Sequence, residues 1–235
     1  MVANLFTSNS KIVFLYKLIR LIIILFTLDF SIGHFCKHLY FSQKSGLNYR
    51  TTYALEKTNE DMLIFGSSRA NHHYNPQIFT GVTGLSCYNV GRDGQSIFYH
   101  HAVQKATLTR YKPKIIILDV VFTDFESAQS EESLDRLAAL LPYYKTHKEI
   151  QNIVNQRSKF EKFKLWSKIY PYNSLILTIL KYNFIATKQM DLSGYIMDYR
   201  RMNLSEIERL ENNIKNLTKK KIKLDKKKME TIRNS

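Results

Sequence analysis

Apolar and polar positions follow three different patterns along the chain. The first is an apolar run that starts with Leu21 to Leu28, broken only by Thr27, and reaches Phe41, with Asp29 and His34 as interruptions. It predicts a membrane-spanning helix. About a dozen apolar residues at roughly −0.5 kcal/mol each outweigh one central Asp at about +3 kcal/mol, and Arg20 can snorkel to the interface. Lys11, Lys17 and Arg20 precede the run, so the positive-inside rule predicts a cytoplasmic amino terminus, an extracytoplasmic remainder, and membrane lipid as a partner. A cleaved signal peptide with Ser31-Ile32-Gly33 as its small-x-small site is the competing expectation. Asp29 within the span reads either as a functional intramembrane carboxylate or as a residue at the outer interface or paired with another helix.

The second pattern is a set of short apolar runs: Met62 to Phe65, Ser86 to Val90, and Lys114 to Val121 introduced by Pro113. Between the last two, Ser96 to Tyr111 carries a loose helical stripe at Ile97, Phe98, Ala102 and Ala106. Strand, helix and strand at this spacing predict right-handed crossovers and an α/β fold with a doubly wound parallel sheet. The preceding polar stretch, Gln43 to Asn59, reads as a linker or arm.

The third pattern lacks strand-like runs. Glu131 to Gln156 and Lys159 to Ala186 predict helices, the second broken near Pro171, with Ser174 to Leu180 a buried helix or strand too short to cross a bilayer. Ser205-Glu206-Ile207-Glu208 has capping-box spacing before a helix with Ile207, Leu210, Ile214 and Leu217, which suits either a coiled coil or packing against the domain. The predicted organisation is an anchor at 1–41, a linker at 42–60, an α/β domain at 61–204 and a lysine-rich helix or tail at 205–235.

Charge adds little to this picture once it is located. The formal net charge is +15, but from Lys215 to Arg233 nine basic residues face only Asp225 and Glu230, so nearly half the excess is a tail without interleaved aromatics. Such a run reads as a solvated helix face, and nucleic acid is not an expected partner. Cys36 and Cys87 have neither metal-site nor disulfide spacing, and no metal or other cofactor is expected.

Candidate chemistry concentrates at the end of the first short run, in Gly66-Ser67-Ser68-Arg69-Ala70-Asn71-His72-His73. A serine at the carboxyl edge of a parallel strand is either a nucleophile or a helix cap. Arg69 is a candidate to bind an anionic substrate group or to pair with a carboxylate such as Asp93 or Asp119. His100 and His101 fall inside the predicted helix and read as surface residues.

On these residues the chain resembles the SGNH/GDSL hydrolase family, and in particular a membrane-anchored subgroup of the Bacteroidetes type. Gly66-Ser67-Ser68 matches the first block, with Ser67 in the usual Asp position, which makes Ser68 the implied nucleophile. Asn89-Val90-Gly91-Arg92-Asp93-Gly94 looks like the second block, implying Gly94, or alternately Gly91, as an oxyanion donor. Thr123 in Asp119 to Asp124 stands where the third block has asparagine. The final Asp-x-x-His block has no counterpart, since all seven histidines lie at or before His147. Either the chain is a truncated member, or His72 or His73 serves as a local base; the two also read as a structural or substrate-contacting pair. The resemblance implies a serine esterase or acyltransferase acting on cell-envelope carbohydrate esters, with envelope polysaccharide as a partner. The alternative is a non-catalytic binding or scaffold protein of the same fold.

Overall fold

The computed structural model describes residues 5–126, 128, 130–185, 193–197 and 203–216. The chain divides into two units, Met1–Ile196 and Met197–Ser235. The lysine-rich tail, and Leu217 with it, lies outside the described residues.

The first unit opens with α1 (Leu5–Phe41), a single helix of 37 residues, followed by α2 (Gly46–Glu56). The expectation of a spanning anchor is overturned here: no helix among the described residues is long and apolar enough to cross a membrane. Lys11, Lys17, Arg20, Asp29, His34 and Lys37 dilute the apolar run within α1. The single-pass topology and the extracytoplasmic placement that rested on that anchor fall with it. Asp29 is employed within the protein, accepting from Ser167 Oγ at 2.5 Å and from the backbone amides of Lys168 and Ile169 at 2.7 and 3.3 Å. Burial pushes its carboxyl upward, but these three donors outweigh that effect and hold it below the usual range. One helical turn on, a Cβ at Gly33 would collide with the backbone of Lys168, so glycine sets how closely α1 meets this turn. The end of α1 is core: Cys36 and Tyr40 are buried with Leu55, Tyr143 and Tyr172.

Three strands follow: β1 (Met62–Gly66), β2 (Cys87–Asn89) and β3 (Ile115–Asp119). They pair in parallel in the order β2-β1-β3, with Met62 opposite both Cys87 and Ile115, and Gly66 opposite Asp119. α3 (Ser68–His73) and α4 (Pro76–Thr83) connect β1 to β2, and α5 (Ile97–Arg110) connects β2 to β3. Alternation along β1 sorts its residues between two cores. Leu63 and Phe65 join the large one, with α2, the Tyr99, Ala102, Val103 and Ala106 stripe of α5, and the turns beyond residue 137. Met62 and Ile64 join a small one with Ala70 and Cys87.

This arrangement corrects the expected fold class. The chain is predominantly helical around a small three-stranded sheet, rather than a doubly wound sheet with helices on both faces. A fully wound parallel strand is buried on both sides, whereas Ile115, Ile116 and Leu118 of the edge strand β3 are all exposed. The long helices expected after Val121 are also absent from the described residues. In their place are α6 (Phe122–Glu126), α7 (Glu131–Arg136), α8 (Gln151–Val154), α9 (Glu161–Lys164) and α10 (Ile176–Phe184), linked by 3₁₀ turns such as Leu137–Tyr143 and Tyr170–Leu175. Pro142 and Pro171 each remove a backbone donor inside or at the start of a turn, and Ser158 is extended, so regular helix cannot run through.

In the second unit, residues 204–216 are helical. The capping box is real but begins two residues earlier than its spacing suggested: Asn203 Oδ1 accepts from Glu206 N at 2.9 Å, and Glu206 Oε2 accepts from Asn203 N at 2.9 Å. Asparagine caps as well as serine does, so the sequence offered two registers.

Candidate functional site

Ser68, Arg69, Asn71 and His72 are brought to the carboxyl end of the sheet because Gly66 turns the chain at the end of β1. Its φ of 149° is open to glycine, and a Cβ there would lie 2.8 Å from both Ala70 Cβ and Asp119 O. Helix α3 begins at once. Ser67 occupies its N-cap position without a side-chain cap bond, so its hydroxyl does not stand in for the missing Asp as a capping group. Ser68 is exposed, and its hydroxyl has no hydrogen-bond partner among the described residues.

Asn89, at the end of β2, holds this turn in place. Fully buried, it donates through Nδ2 to Ala70 O at 2.6 Å and Tyr74 O at 2.8 Å, and accepts from Gly91 N at 2.8 Å. One amide side chain thus satisfies backbone groups from both the serine helix and the following loop. Replacing Asn89 with Leu should destabilise the protein by about 2 kcal/mol in chemical denaturation, because buried carbonyls lose their donor. A loss below about 0.5 kcal/mol would show that these bonds are dispensable.

Beyond Asn89 two arginines secure the loop. Arg50 from α2 donates through Nη2 to Gly91 O at 2.9 Å and to Gly194 O, while Arg92 donates through Nη1 to Leu47 O at 3.3 Å and to Thr51 Oγ1. Both are buried. Their role has no local sequence signal, since each arginine recognises carbonyls rather than a carboxylate at a fixed spacing.

The seven predicted site residues divide by what already occupies them. Arg69 forms a two-point ion pair with Asp119, Nη2 to Oδ1 at 2.6 Å and Nε to Oδ2 at 3.3 Å, which takes up the fork that an anionic substrate would need. Gly91 has its N–H bound to Asn89, leaving it unable to donate to an oxyanion. Gly94 is exposed in a turn with φ 66°, and its carbonyl accepts from Arg136. Thr123 lies exposed in α6, and His73 is exposed at the end of α3.

His72 is the most informative of the seven. Nδ1 lies 2.8 Å from Ile196 O, and Nε2 lies 3.0 Å from Asp93 Oδ2. Asp93 Oδ1 in turn accepts from Asn71 Nδ2 at 2.7 Å. Both partners of the imidazole are acceptors, so both ring nitrogens face an acceptor whichever of them carries the proton. The segment 193–196 that supplies Ile196 also crosses the end of β2, where Ser193 O accepts from Asn89 N at 2.8 Å and Ile196 N donates to Asn71 O at 3.2 Å. The structure therefore gathers the serine, an imidazole and a carboxylate at one sheet edge, and turns the imidazole toward the carboxylate and a carbonyl.

These features define a parallel-sheet serine turn with a buried asparagine clamp. Compared with known family models, characterised proteins and solved structures, the chain matches none of them.

Proposed function

We propose that this chain is a non-hydrolytic binding module built on an SGNH-like serine turn, recognising carbohydrate esters without cleaving them. The observation that carries this reading is the engagement of His72. A general base needs a free lone pair within reach of the nucleophile, and both nitrogens of this ring face acceptors. Ser68 keeps an exposed hydroxyl able to hydrogen-bond a ligand, Gly91 N–H is taken, and Arg69 is held by Asp119. The carbohydrate-ester class follows from the resemblance of Gly66-Ser67-Ser68 to a nucleophile block rather than from a contact.

One observation favours a second reading, a serine esterase. His72 follows Ser68 by four residues, which places both on the same face of α3, and Asp93 is positioned to orient the ring. Activity would then require Nδ1 or Nε2 to leave its present partner.

Hydrolysis of 4-nitrophenyl acetate by the full chain and by Ser68→Ala separates the two. The expected result is the same rate for both, indistinguishable from buffer, together with binding of acetylated xylo-oligosaccharides that weakens severalfold in Ser68→Ala. Turnover at least tenfold above buffer that disappears in Ser68→Ala would overturn the non-hydrolytic reading and establish the esterase.

A further inference from the structure

We infer that the cleft between the carboxyl-terminal half of α1 and the turns around 141–146 and 165–172 binds a phosphate-type anion carried on an apolar group. This site is separate from the serine turn and does not depend on how that turn functions.

The cleft encloses about 130 Å³. Its lining is mostly apolar, with Phe41, Leu141 and Tyr172 among its walls, and three lysines, Lys37, Lys145 and Lys168, converge on it from three segments. The lysine ion pairs among the described residues are Lys114 with Asp61 and Lys164 with Glu161, and neither involves these three. Burial first, and then the charges of Lys168 and Lys37, hold the Lys145 ammonium below the usual lysine range.

The surroundings neutralise this cluster only in part, with one carboxylate facing three lysines. Asp29 is the carboxylate that senses Lys168, and its oxygens are already bound by Ser167 Oγ and the amides of Lys168 and Ile169. That same contact, with Gly33 closed against Lys168, fixes the backbone that carries one of the three ammonium groups. His34 adds a fourth nitrogen-bearing side chain at the rim, and a second, open groove lined by His34, Lys37, His38 and Phe41 continues from it.

A tetrahedral dianion answers this geometry. Its oxygens accept from several ammonium groups at once and convert their repulsion into charge-assisted hydrogen bonds. The apolar walls add affinity only if the anion carries an apolar substituent to bury against them. Such a ligand is either a small soluble phosphate ester or a lipid with a phosphate head, and the cleft chemistry is common to both.

Isothermal titration of the full chain with inorganic phosphate, hexyl phosphate and submicellar lysophosphatidic acid tests the assignment. Hexyl phosphate should bind at least tenfold more tightly than inorganic phosphate. The double variant Lys145→Gln/Lys168→Gln should lose at least tenfold of that affinity, with an unfolding temperature equal to or above that of the parent because like-charge repulsion is relieved. Lysophosphatidic acid binding more tightly than hexyl phosphate assigns the lipid source, and equal or weaker binding assigns the soluble ester. Equal affinity for hexyl and inorganic phosphate, absence of binding, or affinity unchanged in the double variant would each overturn the proposal.

Discussion

Acidification from pH 6.5 to about 4 should cost the protein about 3 kcal/mol of stability through one residue, His100. The side chain is almost fully buried in α5, and burial pulls its pKa down from the ordinary 6.5 to about 4, against the opposing effects of Asp124 and the Gln95 backbone. Its charged form is thus disfavoured in the folded state. Below pH 6.5 the unfolded chain takes up a proton that the folded chain refuses until about pH 4, so stability falls as pH falls across that window. A difference of two to three pH units corresponds to about 3 kcal/mol. His147 works in the opposite sense: the carboxylate of Glu56, 3.6 Å from Nε2, and then the hydrogen-bonded Glu149 raise its pKa above the usual value despite burial. Its contribution is complete below pH 6.5 and is lost as pH rises through the raised value, which places it above the His100 window. Urea denaturation at intervals from pH 7 to 4.5 should therefore show a slope that His100→Leu removes, with little change near neutrality because the replacement keeps the site filled by an apolar side chain. A variant that retains the full slope would assign the acid sensitivity elsewhere.

His100 also shows where sequence reasoning stops. Two adjacent histidines in a predicted helix look alike, and only packing distinguishes His100, buried beside Tyr99, from the exposed His101. The strands were legible because short β-preferring runs need no partner information to be recognised: Met62, Cys87 and Ile115 begin strands within a residue or two of where the apolar runs begin. The extent of the sheet was not legible, because strand periodicity says nothing of what covers a strand. Lys114 to Val121 reads as a buried strand, yet Ile115, Ile116 and Leu118 are exposed at an edge. Hydropathy likewise treated Leu18 to Phe41 as one solvent problem, while Asp29 and Gly33 were placed there to meet residues 167–169. At the candidate site, the residue types and their common sheet edge could be read from the chain. What engages them was legible only in part: Asp119 was one of the two carboxylates offered as a partner for Arg69, whereas Ile196 O meets His72 from 124 residues away and Asn89 holds Ala70 O from 19 residues away.

Replacing Arg157 with Met should cost about 3–5 kcal/mol, the largest single effect expected in the chain. Its partner Glu161 has no exposed surface, and the pair closes at 2.5 Å, Arg157 Nη1 to Glu161 Oε1. Tyr170 OH donates to the same oxygen at 2.7 Å, and Arg157 Nη1 also reaches Tyr170 OH at 3.2 Å. The remaining cation, Lys164, lies 3.6 Å from Oε2 and is more exposed. Without Arg157 the carboxylate stays buried with a tyrosine hydroxyl and the more exposed Lys164 ammonium at 3.6 Å, and leaving a buried charge without its close partner is the expensive change. The cost lies in the orphaned charge rather than in the lost attraction, so the double variant Arg157→Met/Glu161→Leu should recover most of the stability. A double-mutant cycle by urea denaturation measures this as a coupling of more than about 2 kcal/mol. A single-variant loss below about 1 kcal/mol would show instead that water or Lys164 satisfies Glu161. The effect is large because α9 has only four residues and is flanked by short turns closed by local backbone bonds, such as Glu161 N to Ser158 O and Ser167 N to Lys164 O, rather than by continuous helix. In this part of the chain a buried ion pair and one tyrosine hydroxyl do what continuous helix would otherwise do.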